Sequence, residues 1–168
     1  MTLAGYHTPP AENVEIEPLQ SLLDALSFRI ARLAAINERM AGQIFRSEFG
    51  ISLNDWRVIG ITGALQPVTF SAVRELLYFD KGQLSRVISS LSDRNLIVSN
   101  TSSTDARQIE LRLTEAGETV HREALRFTAK RNAIMTSVFT ADERSEFRRL
   151  IDKLVTHNVE KLETSRAK

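Results

Sequence analysis

The 168-residue sequence predicts a mainly α-helical fold interrupted by one two-stranded β hairpin. Three observations carry that prediction. Apolar residues recur at the three-to-four spacing of helix faces along most of the chain. A single strict alternation, Ile109, Leu111 and Leu113 against Glu110 and Arg112, marks a strand. Capping signatures at Ser52 with Asp55, Thr69, Asp80 with Gln83, and Thr140 with Glu143 divide the helical pattern into separate helices.

Residues 1–17 hold two consecutive prolines, three glutamates and no periodicity, the composition of an unanchored flexible arm. Over 18–50, Pro18 suits the first turn of a helix, where its missing N–H costs nothing. Leu22, Leu26, Ile30, Leu33, Met40 and Ile44 then trace one stripe, with Asn37 as its polar interruption, to a stop at Gly50. At ~1.5 Å per residue such a helix is about 40 Å long, more than one small domain covers.

The Ser52–Asp55 pair opens a second helix to about Ala64, carrying Trp56 and Ile59, and Pro67 breaks the chain. Thr69 caps a short helix ending near Leu77, and Asp80 with Gln83 caps the next. The pair is joined by Tyr78-Phe79 in the manner of a helix-turn-helix. In the second of these, Leu84, Val87, Ile88 and Leu91 fall on one face, while Lys81, Gln83, Ser85, Arg86, Ser89 and Ser90 fall on the other. That polar face has no acidic residue between Lys81 and Leu91, which suits an anionic surface. Asn95 is a left-handed stop, 96–99 and 109–113 read as strands, and the loop between them has no apolar side chain except Ala106. Ala116, Val120, Ala124 and Phe127 line a helix from Thr114 to about Val138. Phe147, Leu150, Ile151, Leu154 and Leu162 line the last.

The organisation is therefore a flexible arm over 1–17, a dimerisation helix over 18–50, a winged helix-turn-helix over 51–114 and dimerisation helices over 115–168. Nothing in the small central unit is left to cover the apolar faces of the terminal helices, and a second copy of the chain is the simplest cover. A polar, acid-free helix followed by a charged hairpin is how a winged helix-turn-helix grips double-stranded DNA. Gln83 can read adenine and Arg86 guanine. Ser85 and Ser89 suit phosphates or base edges, and Lys81, Thr69 and Ser71 are placed to hold phosphates.

Composition narrows the function classes. No apolar run approaches the ~20 residues of a membrane span and no leader is visible, so a cytoplasmic protein without a membrane partner is expected. The chain has no cysteine, which excludes disulfides and thiolate metal sites. His7, His121 and His157 are scattered without a second ligand at helical spacing, and no catalytic constellation or phosphate loop appears, so neither metal, cofactor nor enzymatic activity is expected. A net charge of +1 requires any DNA-binding surface to be local, and residues 81–112 hold only a mild excess, five basic against three acidic.

The string from Leu84-Ser85-Arg86 through Asp105-Ala106-Arg107 to Leu113-Thr114-Glu115-Ala116-Gly117 resembles, in order and spacing, the multiple-antibiotic-resistance-regulator (MarR) family of bacterial transcription factors. The resemblance spans roughly Leu19 to Leu162. It implies that Arg107 enters a minor groove and that Asp105 hydrogen-bonds it into position. It further implies a homodimer on a palindromic operator, most often a repressor, with a small aromatic acid as a candidate releasing ligand between the lobes. Trp56 with Met40 and Ile44 could line that site, or could simply be core. The sequence departs from the family pattern at Asn95, where glycine is usual, and in a wing, residues 99–104, short of basic side chains, which predicts a shallower salt dependence. The alternative reading is a helical protein-interaction module that has lost DNA binding.

Overall fold

The structure, a computed structural model, describes residues 18–102 and 105–166. The expected arm over 1–17 and the Ser103-Thr104 step of the wing lie outside them. The elements run α1 (Leu26–Phe49), α2 (Leu53–Leu65), β1 (Val68–Thr69), α3 (Phe70–Leu77), α4 (Lys81–Asp93), β2 (Ile97–Thr101), β3 (Ile109–Leu113), α5 (Glu115–Met135) and α6 (Ala141–Arg166).

Two boundaries differ from expectation. The first helix does not run unbroken from residue 18. Ser21 and Asp24 form their own capping box around a 3-10 turn, Leu22–Asp24, and Ala25 is extended before α1 begins. A serine followed three residues later by an aspartate offers the backbone a local alternative to a continuous helix, and here that alternative wins. The sheet has three strands rather than two, in the order β1-β3-β2, all antiparallel. Val68 and Thr69 pair with Leu111 and Glu110. Two residues are too few to show a period, so only backbone pairing with β3 reveals this strand.

The caps otherwise fall where their chemistry places them. Gly50 is left-handed at φ 61°, and its N–H and that of Ile51 close onto carbonyls of the last turn of α1. Asn95, at φ 53°, is left-handed as well, and its carbonyl accepts a 2.6 Å hydrogen bond from the Thr114 hydroxyl. Gly117 in α5 is required by contact: a Cβ there would lie 2.0 Å from the carbonyl oxygen of Leu96. This backbone approach joins the start of α5 to the root of the wing.

The core is built by Phe45, Ile51, Val58, Ile59, Val73, Leu84, Ile88, Leu91, Ile97 and Leu111, so α1 through its last turns, α2, α3, α4 and the sheet share one interior. Ile109, expected on the inward face of its strand, is 49% exposed because β3 outruns this core into the wing. The chain's two ends are another matter. Leu26, Ile30, Leu33 and Met40 of α1, Ile134 and Met135 of α5, and Phe147, Leu150, Leu154 and Leu162 of α6 are all exposed. No helix of the described residues is long and apolar enough to cross a membrane.

Candidate nucleic-acid interface

The interface begins with how α4 is held. The Asp80 carboxylate accepts a 2.7 Å hydrogen bond from the Gln83 N–H and so starts the helix. Leu84, Ile88 and Leu91 are buried beneath it. Burying this face leaves Lys81, Ser85, Arg86, Ser89 and Ser90 exposed on the other, with Gln83 half-buried. Arg94, just past the helix, donates 3.1 Å to the Gly50 carbonyl and lies 3.8 Å from Asp55, tying the end of α4 to the elbow between α1 and α2.

Thr69 has a structural duty before any other, since its hydroxyl accepts from the Ala72 N–H at 3.2 Å and caps α3. Its O–H remains able to donate, and Ser71 beside it is exposed. In the wing, one Asp105 oxygen accepts from the Arg107 backbone N–H at 3.0 Å and the other from the Gln108 amide at 3.1 Å. Asp105 thus shapes the turn that presents Arg107, through backbone rather than through the guanidinium as the family pattern implies. The exposed Arg107 side chain makes no ion pair with any described residue. Ser102 donates 2.6 Å to Glu110 and braces the base of the hairpin.

The site residues expected from sequence therefore divide into two sets that the fold brings together. Lys81, Gln83, Ser85, Arg86 and Ser89 lie along α4. Thr69 capping α3, Ser71 within it, Lys81 at the head of α4 and Arg107 of the wing line one cleft of about 260 Å³. Four further residues line that cleft, Arg74 and Gln108 with the apolar Phe70 and Ile109. Arg74 was open to detection, because it follows Ser71 by one helical turn, but nothing in the sequence says which side of so short a helix faces the wing.

The residues expected to hold a ligand have different surroundings. Trp56 stacks on Phe45 at 5.5 Å and on His121 at 5.9 Å, within an aromatic cluster that also holds Phe49 and Phe127. Met40 is 54% exposed toward the uncovered face of α1, and Ile44 is half-buried. A cavity of about 240 Å³ does open between α1, α2 and α5, lined among others by Asn37, Glu38, Arg57, Thr128, Arg131 and Asn132. Arg57 donates to Asn54 at 3.2 Å and forms a close ion pair with Glu38. The Thr128 hydroxyl is buried without a hydrogen-bond partner among the described residues. Among the described residues no cluster of His, Asp and Glu could hold a metal.

The MarR family's sequence profile matches residues 49–108, from the elbow before α2 to the wing. Solved structures match over nearly their whole length. A MarR/EmrR family transcriptional regulator from Acinetobacter sp. ADP1 is 24% identical, with 80% of this chain and 94% of that one covered at a TM-score of 0.73. S. aureus MepR, solved as a DNA complex, is 16% identical over 79% and 98% at 0.71. PcaV from Streptomyces coelicolor, solved with its natural ligand, is 22% identical over 83% and 98% at 0.67. No curated protein matches by sequence. Residues 49–108 thus carry the sequence pattern of the MarR family, and the chain as a whole has the winged helix fold of the solved MarR-type regulators it matches.

Proposed function

We propose that the protein is a transcriptional regulator that binds a palindromic operator as a homodimer and represses it, and that a small aromatic acid releases it. The observation that carries DNA binding is the outer face of α4, where Lys81, Ser85, Arg86, Ser89 and Ser90 stand exposed with no carboxylate among them. Arg86 suits a guanine edge in the major groove, Gln83 an adenine edge, and Ser85 and Ser89 the flanking phosphates or bases. Arg107 extends from a turn that Asp105 fixes and suits the adjacent minor groove.

Dimerisation rests on the uncovered apolar residues of α1, α5 and α6. Exposed apolar residues gathered on three helices mark an interaction site, and a symmetric second copy covers both chain ends at once. It also sets two α4 helices on one face of a duplex, which is what a palindrome asks for.

The effector reading rests on the cavity between α1, α2 and α5. Arg57 and Arg131 offer charge to a carboxylate, Asn37 and Asn132 offer amides, and the unpartnered Thr128 hydroxyl offers a further hydrogen bond. Glu38 already occupies Arg57, so an acid must take that guanidinium from it and in doing so loosens the tie between α1 and α2. A ligand switches the protein only through different affinity for the two arrangements, and a hundredfold difference amounts to about 2.7 kcal/mol.

The decisive experiment is a mobility shift with the DNA upstream of the protein's own gene and an unrelated duplex as competitor. A specific complex is expected. Equal binding to both duplexes, or to neither, overturns sequence-specific recognition, and no binding at all favours a protein-interaction module.

A further inference from the structure

Two protein elements that enter neighbouring grooves of one duplex must straddle the sugar–phosphate ridge between them. Here those elements are α4 and the β2–β3 wing, and the cleft of about 260 Å³ lies between them. Arg74 of α3, Lys81 of α4 and Arg107 of the wing line this cleft, and no carboxylate is among its described walls. Thr69, Ser71 and Gln108 add side chains able to donate hydrogen bonds.

None of the three cations makes an ion pair or side-chain hydrogen bond with a described residue. Arg74 is the informative one. It is half-buried, and Glu75 and Asp80 stand with it around the neighbouring depression, yet it pairs with neither. The cleft itself gathers three cations and no carboxylate, and an anion entering it adds the counter-charge that its walls lack. A tetrahedral phosphate, with oxygens on several sides, can accept from α3 and α4 at the same time.

We infer that Arg74 and Lys81 hold one and the same backbone phosphate in each half-site, seated between the recognition helix and the wing, with the Thr69 and Ser71 hydroxyls at its edge. Arg107 extends past this phosphate toward the groove. The seat rests on the DNA-binding reading and deepens it. It sets how deeply α4 lies in the major groove and carries no base preference of its own.

The test counts phosphates. The logarithm of the binding constant falls with the logarithm of salt by about 0.9 for each phosphate neutralised. Binding of a random-sequence duplex is measured by fluorescence anisotropy at several salt concentrations for the wild type, Arg74→Ala, Lys81→Ala and the double variant, with circular dichroism to establish folding. Arg74→Gln replaces Arg74→Ala if the latter unfolds, and Arg74→Lys retains the charge. If the phosphate is shared, each single variant weakens binding severalfold but keeps most of the slope. The double variant then loses about 0.9 per protomer in total, and Arg74→Lys keeps the wild-type slope. Separate seats would give about 0.9 for each single variant and about 1.8 for the double, overturning the shared phosphate. Unchanged binding by Arg74→Ala or Arg74→Gln would remove Arg74 from the interface while leaving the DNA-binding reading intact. A wild type that binds no duplex would refute both.

Discussion

Replacing Gly117 by alanine tests the joint between the wing and α5, and replacing Gly60 by alanine supplies its control. Both glycines lie inside helices, so alanine should favour each helix by up to about 1 kcal/mol through backbone entropy alone. At Gly60 the nearest neighbours of the new methyl are Trp56 ring atoms, at 3.7 Å and beyond, which is ordinary contact. Gly60→Ala should therefore be neutral or slightly stabilising. At Gly117 the methyl would sit 2.0 Å from the Leu96 carbonyl oxygen, and that atom belongs to backbone, which cannot rotate aside. Overpacking typically costs about 1–3 kcal/mol, and a rigid backbone contact belongs at or above the top of that range. Lifting α5 also strains the 3.2 Å hydrogen bond from the Thr114 N–H to that same oxygen, for about 1 kcal/mol more. Net of helix propensity the loss is about 3 kcal/mol, a large part of a typical stability of ~5–15 kcal/mol. Urea unfolding followed by circular dichroism reads both variants on one scale. Equal stability of Gly117→Ala and Gly60→Ala would refute the close approach of α5 to the wing root.

Arg107→Ala should weaken operator binding substantially and leave the urea midpoint unchanged, because its side chain is exposed, whereas Asp105→Ala should weaken binding more mildly by loosening the turn. Anisotropy on operator DNA decides this, and wild-type affinity of Arg107→Ala would take the wing out of the mechanism. Deleting residues from Thr140 onward should give an aggregating or unstable protein, since the proposed dimer loses the apolar residues of α6 and those of α1 and α5 stay exposed to water; a well-behaved monomer in the ultracentrifuge would contradict the dimer. Glu38→Gln should raise the affinity for benzoate, used as a probe carboxylate, by freeing Arg57, while Arg57→Ala should abolish binding; calorimetry that finds no benzoate binding in any variant would dismiss the cavity as an acid site. The Glu143 carboxyl, hydrogen-bonded by the Thr140 backbone and then its hydroxyl, is held below the ordinary 4.5, so its contribution to the α6 cap is present above that value and lost as pH falls through the lowered one. Carboxylate titration by NMR should show that shift in the wild type and its decrease in Thr140→Ala.

Much of the fold was legible because the forces that set it are local. A cap is a hydrogen bond across three residues and a helix face repeats within four, so Ser52, Thr69, Asp80, Thr114 and Thr140 mark helix starts before any packing is known. The acid-free face of α4 is readable for the same reason. The break at Ala25 was carried by a local signal too, Ser21 with Asp24, but the apolar stripe through Leu22 and Leu26 masked it.

Only the tertiary structure decided what depends on contacts between distant segments. Val68-Thr69 becomes a strand because β3 offers it a backbone edge. Gly117 is obligatory because the Leu96 carbonyl arrives from another element. Arg74 joins Lys81 and Arg107 because α3, α4 and the wing turn those side chains into one cleft. The cavity gives the plainest case. Trp56 and Arg57 are neighbours in sequence, yet successive residues of an α-helix point about 100° apart. The indole therefore enters the aromatic core against Phe45 and His121, while the guanidinium reaches Glu38 and the cavity between α1 and α5. Periodicity tells that α2 has an inner and an outer side. Which partner each side meets is settled only when the helices pack.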